Sequence, residues 1–224
     1  MNFTPQILSD FLIATAIFAS AWLILNLLYK KGINYISRFV FATAYFAVFS
    51  LIFIAVFEKK LRWVAIGFPP KMIFLMASVL AFNFIAYYFG RKFLKKPGEL
   101  IKGNPNEYNL LMDYRYILPK AMEVFFQQIY IVLLTLTIFD AGFGLGEATL
   151  VFALIFGVLH IPLIKSVGKF FGGYYSVFAV LSGVIFPILI IKVEYGFVYT
   201  FIIHLFFYIL SALGLWAYFG KKKR

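Results

Sequence analysis

The sequence has no cysteine, few charged residues and only two histidines. The absence of cysteine excludes disulfide bonds, thiolate nucleophiles and cysteine-based zinc sites. Charged residues make up 13% of the chain, about half the share found in soluble domains, whereas hydrophobic residues make up 63%. This composition excludes a soluble globular protein and predicts an integral membrane protein.

Apolar segments bounded by charged residues predict an all-α, polytopic membrane helical bundle with about seven transmembrane helices. The segments lie at roughly 8–29, 39–57, 72–90, 118–139, 147–164, 170–191 and 196–219. These segments use most of the 224 residues, so we expect a single integral membrane domain spanning 1–224. Within it, 1–117 supplies the front helices and a polar cytoplasmic loop, and 118–210 forms the back part.

Basic residues give the chain a net charge of +12, which in a soluble protein would suggest a nucleic acid partner. Here they lie in short runs between apolar segments, which predicts contact with anionic lipid headgroups and no nucleic acid. If successive segments alternate in direction, 16 of the 21 Lys and Arg residues fall on one side. The positive-inside rule then predicts an external N-terminus and a cytoplasmic C-terminus. The compact seven-segment form favours a prokaryotic plasma membrane.

Ionisable residues are very sparse inside the apolar segments. Eight of the nine acidic residues fall at segment ends or in loops, and Glu123 alone lies inside a segment, as do both histidines, His160 and His204. An ionisable group in a bilayer costs at least about 2.5–3.5 kcal/mol on insertion scales, so such residues tend to face the protein interior and to have a function. Alternating segment directions put Glu123 and His160 near the cytoplasmic side and His204 somewhat deeper, and we expect all three to line one cavity open to the cytoplasm.

Each of these residues also has a purely structural interpretation. Glu123 could pair with Lys120, which lies three residues earlier on the same helical face. His160, near an interface, could donate a hydrogen bond to a loop carbonyl, and His204 could form an interhelical hydrogen bond. The functional interpretation is favoured because these three residues are the chain's whole stock of acidic and histidine side chains inside the segments, away from the segment ends.

The order of these residues resembles the CPBP family, which includes type II CAAX prenyl endopeptidases and the Abi or lysostaphin-resistance-like proteins. That family carries EExxxR on one segment, FxxxH on the next, and HxxxN or HxxxD on a later one. This chain has Glu123, then Phe156-Gly-Val-Leu-His160 on the following segment, and His204 two segments later. The resemblance covers about 118–210 and implies an intramembrane endopeptidase that hydrolyses peptide bonds of membrane-associated or prenylated substrates.

The resemblance also implies a role for each residue at a matching position. Glu123 and His160 would activate a water molecule, and His204 would stabilise the oxyanion with its partner four residues later. That partner is Tyr208 here, in place of asparagine or aspartate, and its hydroxyl is a suitable hydrogen-bond donor.

Two departures concern the first motif. Depending on which glutamate of that motif Glu123 matches, the arginine position holds Gln127 or Gln128, and the second carboxylate is missing. We expect both glutamines to belong to the site. The departures also leave open a non-catalytic relative that acts in peptide binding, immunity or scaffolding, and a small transporter with a proton relay.

No cofactor is expected, because no histidine-rich motif of the HExxH type anchors a metal ion. The alternative is a catalytic zinc site, in which Glu123, His160 and His204 are the three protein ligands and water fills the fourth position.

Overall fold

The structure, a computed structural model, describes residues 4–65, 68–98 and 108–220. Several residues used in the sequence analysis lie outside this part of the chain: Glu99, Lys102, Glu107 and the basic residues 221–224. The predicted polar cytoplasmic loop therefore falls partly outside the described residues.

The described residues form eight α-helices in chain order. They are α1 (Pro5–Lys30), α2 (Phe39–Val56), α3 (Glu58–Ala65), α4 (Pro70–Phe93), α5 (Ile117–Asp140), α6 (Leu145–Val167), α7 (Lys169–Lys192) and α8 (Gly196–Phe219). Two short 3₁₀ helices, Tyr108–Leu111 and Tyr114–Tyr116, lead into α5. No β-strand occurs in the part of the chain that the structure describes.

The predicted all-α polytopic membrane fold is confirmed. Six of the described helices are long and apolar enough to cross a membrane, and α6 contains a shorter apolar stretch, Leu145–Ile161. The seven long helices differ from the predicted segments by at most three residues at either end. The short helix α3 was not predicted, and Pro69 directly precedes α4. Pro70 suits the first turn of α4, because its missing N–H would have no partner there.

Helix α5 is the central helix of the bundle. In its apolar stretch 72% of the residues are buried, against 17% to 39% in the other five long apolar helices. It contacts α1, α2, α4, α6, α7 and α8. Polar side chains on α5 are therefore surrounded by protein, whereas the outer faces of the other helices present apolar side chains suited to lipid.

An ion-pair cluster joins three helices at one end of the bundle. The Nζ atom of Lys60 in α3 lies 3.0 Å from Asp10 of α1 and 2.6 Å from Asp140 of α5. Burial alone would lower the pKa of Lys60, but the two carboxylates outweigh it and raise that pKa above its ordinary value. The start of α1 and the end of α5 thus lie at the same end, as alternating crossings require.

Helices α6 and α7 form a tight antiparallel hairpin in which small residues bring the two backbones together. A Cβ atom added at Gly172 would lie 2.2 Å from the Cα atom of Ile164, and one added at Gly183 would lie 2.5 Å from that of Ala153. Gly168, between the helices, has a φ of 88°, which favours glycine. Close packing of this kind stabilises helix pairs in membranes.

Candidate functional site

The candidate site is built on the first three turns of α5. Lys120, Glu123 and Gln127 follow one another at spacings of three and four residues, which places their side chains on one helical face. Gln128 lies one position further round and faces α8. The 3₁₀ turn before α5 is fixed by Asp113, whose side chain accepts a hydrogen bond from the backbone N–H of Arg115. This turn sets the position at which the polar face begins.

The Glu123 carboxylate is buried, and both of its oxygens accept hydrogen bonds. Oε1 accepts from the Lys120 ammonium at 2.8 Å and from the Gln127 amide at 2.8 Å. Oε2 accepts from the hydroxyl of Tyr35. A charge buried in this way is stable only when it is paired and hydrogen-bonded, and all three partners meet that requirement. The carboxylate and the ammonium together form a neutral, buried ion pair.

Lys120 also connects α5 to α8. Its Nζ atom lies 3.7 Å from the centroid of the Tyr208 ring, a distance typical of a cation–π interaction. Since only 7% of Lys120 is exposed, its charge is shared between Glu123 and this aromatic face. Tyr208 therefore presents its ring to the ammonium, a contact that the sequence analysis did not anticipate.

Tyr35 reaches Glu123 from the loop between α1 and α2. The Asn34 side chain holds this loop by accepting hydrogen bonds from the backbone N–H groups of Ile36 and Ser37. The ring of Tyr35 packs against Tyr116 at the start of α5. Burial, and then the negative charge of Glu123, raises the pKa of Tyr35 well above its ordinary value. The hydroxyl therefore stays protonated and remains a donor.

His204 lies on α8 beside Gln128. The amide nitrogen of Gln128 is 2.9 Å from His204 Nδ1, and the imidazole ring stacks against the Tyr208 ring with centroids 5.4 Å apart. Gln128 is fully buried, and its Oε1 atom has no hydrogen-bond partner among the described residues. A buried amide oxygen without a donor costs free energy.

His160 on α6 makes its visible contacts with Phe156, one turn earlier. Its Nδ1 atom lies 2.7 Å from the carbonyl oxygen of Phe156, and the two rings are 4.7 Å apart in an edge-on arrangement. The four-residue spacing of the FxxxH pattern thus brings both groups together. The Phe residue holds the imidazole with its ring and with its backbone.

The structure brings the predicted residues into two adjoining groups. Glu123 and Gln127 belong to the ion-pair group, whereas His204 and Gln128 form a second group, and Lys120 with Tyr208 joins the two. His160 lies within the range of electrostatic interaction with Lys120 and His204, and its hydrogen bond and ring contact are with Phe156. Within the described residues, no hydrogen bond joins Glu123 to either histidine.

Two residues of the site were not among the predicted catalytic residues. Lys120 lies three residues before Glu123, and this spacing predicts an ion pair, which the sequence analysis gives only as a structural interpretation. Tyr35 had no signal in the sequence, because its contact with Glu123 spans 88 positions and depends on the packing of a loop against α5.

The residues suggested as zinc ligands do not form a ready metal site. Among the described residues, no group of three or more His, Asp or Glu side chains is arranged to hold a metal ion. A zinc ion would have to displace the Lys120 ammonium from Glu123, whose two oxygens already accept hydrogen bonds from three protein groups. The arrangement therefore does not fit a zinc ion.

The fold and the site define a polytopic α-helical membrane protein with a buried polar centre. No family model matches the chain, and the comparisons with curated proteins and with solved structures gave no match either.

Proposed function

We propose that the protein is an intramembrane endopeptidase of the CPBP type, which hydrolyses peptide bonds of membrane-associated or prenylated substrates. One observation carries the proposal: the buried Lys120–Glu123 pair of α5 adjoins the contact between Gln128 and His204, because the Tyr208 ring touches both the Lys120 ammonium and the His204 ring. Peptide hydrolysis needs a proton acceptor for water, a donor for the oxyanion and a proton for the leaving amine. Two imidazole rings beside a paired carboxylate supply groups of these types.

The surroundings of the site suit a peptide bond near the membrane. The rings of Phe186 and Tyr208 lie beside His204, and Tyr175 and Phe207 pack against Tyr208 to extend this apolar wall. Exclusion of water by apolar walls strengthens the electrostatic interactions within such a site.

Cleavage of membrane-anchored, quenched peptides by the purified protein tests this function. Peptides with and without a prenyl group would be compared in lipid nanodiscs, with and without a metal chelator. We expect cleavage by the wild type to survive chelation and to be lost in His160→Ala and His204→Ala. Asp10→Asn is a matched control, because it removes a buried carboxyl charge at the other end of the bundle and should keep activity.

A non-catalytic, peptide-binding relative is the second candidate, and the saturation of Glu123 favours it. Both carboxylate oxygens accept hydrogen bonds from protein groups, which suits a structural role better than the activation of water. Failure of the folded wild type to cleave any anchored peptide, with binding of the same peptides retained, would establish this alternative.

The proposed orientation places the N-terminus outside a prokaryotic plasma membrane and the C-terminus in the cytoplasm. Because the chain has no cysteine, single cysteines report topology directly. With a membrane-impermeant maleimide on intact cells, Glu194→Cys between α7 and α8 should be labelled. Lys31→Cys, after α1, should be labelled only after permeabilisation. The reverse pattern would contradict the proposed orientation.

A further inference from the structure

The two histidines of the chain use the same ring atom, Nδ1, to contact groups of opposite hydrogen-bonding character. The partner of His160 is the carbonyl oxygen of Phe156, which can only accept, so Nδ1 of His160 carries the proton. The partner of His204 is the amide nitrogen of Gln128, which can only donate, so Nδ1 of His204 is unprotonated. Each contact determines what the other ring nitrogen, Nε2, can do.

We propose that Phe156 and Gln128 hold the two imidazole rings in opposite tautomers, which makes His160 Nε2 a proton acceptor and His204 Nε2–H a donor. Gln128 is then a positioning residue that acts through His204. Among the residues that the structure describes, no acidic side chain forms an ion pair with either ring, so neither has a counter-ion that would favour an imidazolium.

The His204 tautomer depends on the orientation of the Gln128 amide. In the orientation that the structure has, the NH₂ group donates to Nδ1 of His204, and Oε1 has no partner within the described residues. In the reverse orientation Oε1 would accept a hydrogen bond from a protonated Nδ1, and both rings would then share one tautomer. The tautomer of His204 therefore reports the orientation of this amide.

The opposite tautomers divide the chemistry of hydrolysis between the two rings, and this division rests on the proposed function. His160 Nε2 takes a proton from water as the water oxygen bonds to the peptide carbonyl carbon. The carbonyl π electrons move to the oxygen, which accepts a hydrogen bond from His204 Nε2–H. The C–N bond then breaks as His160 returns the proton to the amine nitrogen, so the products are an acid and an amine. Glu123 takes no part as a base.

Nuclear magnetic resonance of ¹⁵N-histidine in nanodiscs tests the tautomers directly, with the protein purified without a histidine tag. The wild type should give one ring protonated on Nδ1 and one protonated on Nε2, because a lone-pair nitrogen and a protonated one differ widely in chemical shift. His160→Ala and His204→Ala assign the two sets of signals. Two rings in the same tautomer would overturn the inference even if every variant at Gln128 failed to fold.

Variants of Gln128 test its positioning role. Gln128→Glu places a carboxylate acceptor at Nδ1 of His204, so the His204 proton should move to Nδ1. Loss of one oxyanion donor by this change should lower kcat about 10²-fold or more, with little change in KM. Gln127→Leu is the matched control, because Gln127 bonds Glu123 rather than an imidazole ring, and both tautomers should stay as in the wild type. An unchanged His204 tautomer in Gln128→Glu would overturn the positioning role.

The ring tautomers, read by nuclear magnetic resonance, and peptide cleavage together separate this inference from the proposed function. Opposite tautomers in a protein that cleaves no peptide would support the hydrogen-bond assignment and refute hydrolysis. Cleavage by a protein whose rings share one tautomer would support hydrolysis and refute the division of roles.

Discussion

Replacement of Lys120 by methionine should destabilise the protein strongly, because it leaves Glu123 as an unpaired buried charge. Glu123 is 2% exposed, and its side chain and that of Lys120 are 3% and 9% exposed in the ion pair. Removal of one partner of a buried pair typically costs about 3–5 kcal/mol. Because Tyr35 and Gln127 still donate to the carboxylate, we expect about 3 kcal/mol, roughly a 100-fold change in the unfolding equilibrium.

Addition of Glu123→Gln to Lys120→Met should recover most of the lost stability. In Lys120→Met/Glu123→Gln the buried charges are gone, and the new amide can still bond Tyr35 and Gln127. Replacement of both members of a buried pair is often neutral, so we expect the double variant to lie within about 1–2 kcal/mol of the wild type. The remaining deficit reflects the lost contact between the ammonium and the Tyr208 ring.

Reversible unfolding in mixed detergent micelles, followed by tryptophan fluorescence, measures these differences. Arg115→Gln is the control, since the Arg115–Asp113 pair is equally short at 2.7 Å but its arginine side chain is 41% exposed. This control should unfold like the wild type, because exposed ion pairs contribute little. If Lys120→Met unfolds like the wild type, or if the double variant is no more stable than the single one, the reasoning is refuted.

Three further predictions concern other contacts of the fold. Gly172→Ala should destabilise the α6–α7 hairpin by about 1–3 kcal/mol, because the added Cβ atom would overlap the backbone of Ile164. Gly173→Ala is the control, since its Cβ atom would meet nothing within 4 Å and should not destabilise the hairpin. Thermal unfolding compares the two variants. Lys60→Gln should lower the melting temperature more than Lys59→Gln, and this difference should shrink in salt. Because the pKa of Lys60 is raised, the difference should persist until the pH rises above about 10.5 and through the pKa of Lys60 in the folded protein. Tyr35→Phe should cost about 1.5–3 kcal/mol in the same unfolding assay, the worth of a hydrogen bond to a charged group, and an unchanged stability would contradict that contact.

The helices could be predicted from the sequence because each is a continuous apolar segment with charged or turn-forming residues at its ends. That pattern depends on local composition, so it gave the long helices to within three residues. The short helix α3 was missed because Glu58, Lys59, Lys60 and Arg62 resemble a polar connection. The contribution of α3 to the fold depends on the ion pairs of Lys60 with Asp10 and Asp140, which lie on other helices.

Within the site, only contacts between residues three or four positions apart on one helix could be predicted from the sequence. Spacing along α5 signalled the Lys120 and Gln127 contacts with Glu123, and the FxxxH spacing brought Phe156 to His160. Helix rotation could not be predicted, because the bundle is apolar on nearly every face and the pattern of apolar residues does not define an inner side. The alignment of Gln128 with His204 follows from that rotation.

The variants of the ion pair also decide which side chain is the base in the proposed hydrolysis. If Glu123 activates water, the amide in Lys120→Met/Glu123→Gln cannot take a proton, and this double variant should be inactive although it is folded. If His160 is the base, the same variant keeps both imidazole rings and the Gln128 contact, so it should retain cleavage that His160→Ala abolishes. The neutral character of the Lys120–Glu123 pair makes this comparison possible, because the double substitution removes both charges and leaves the net charge of the site unchanged.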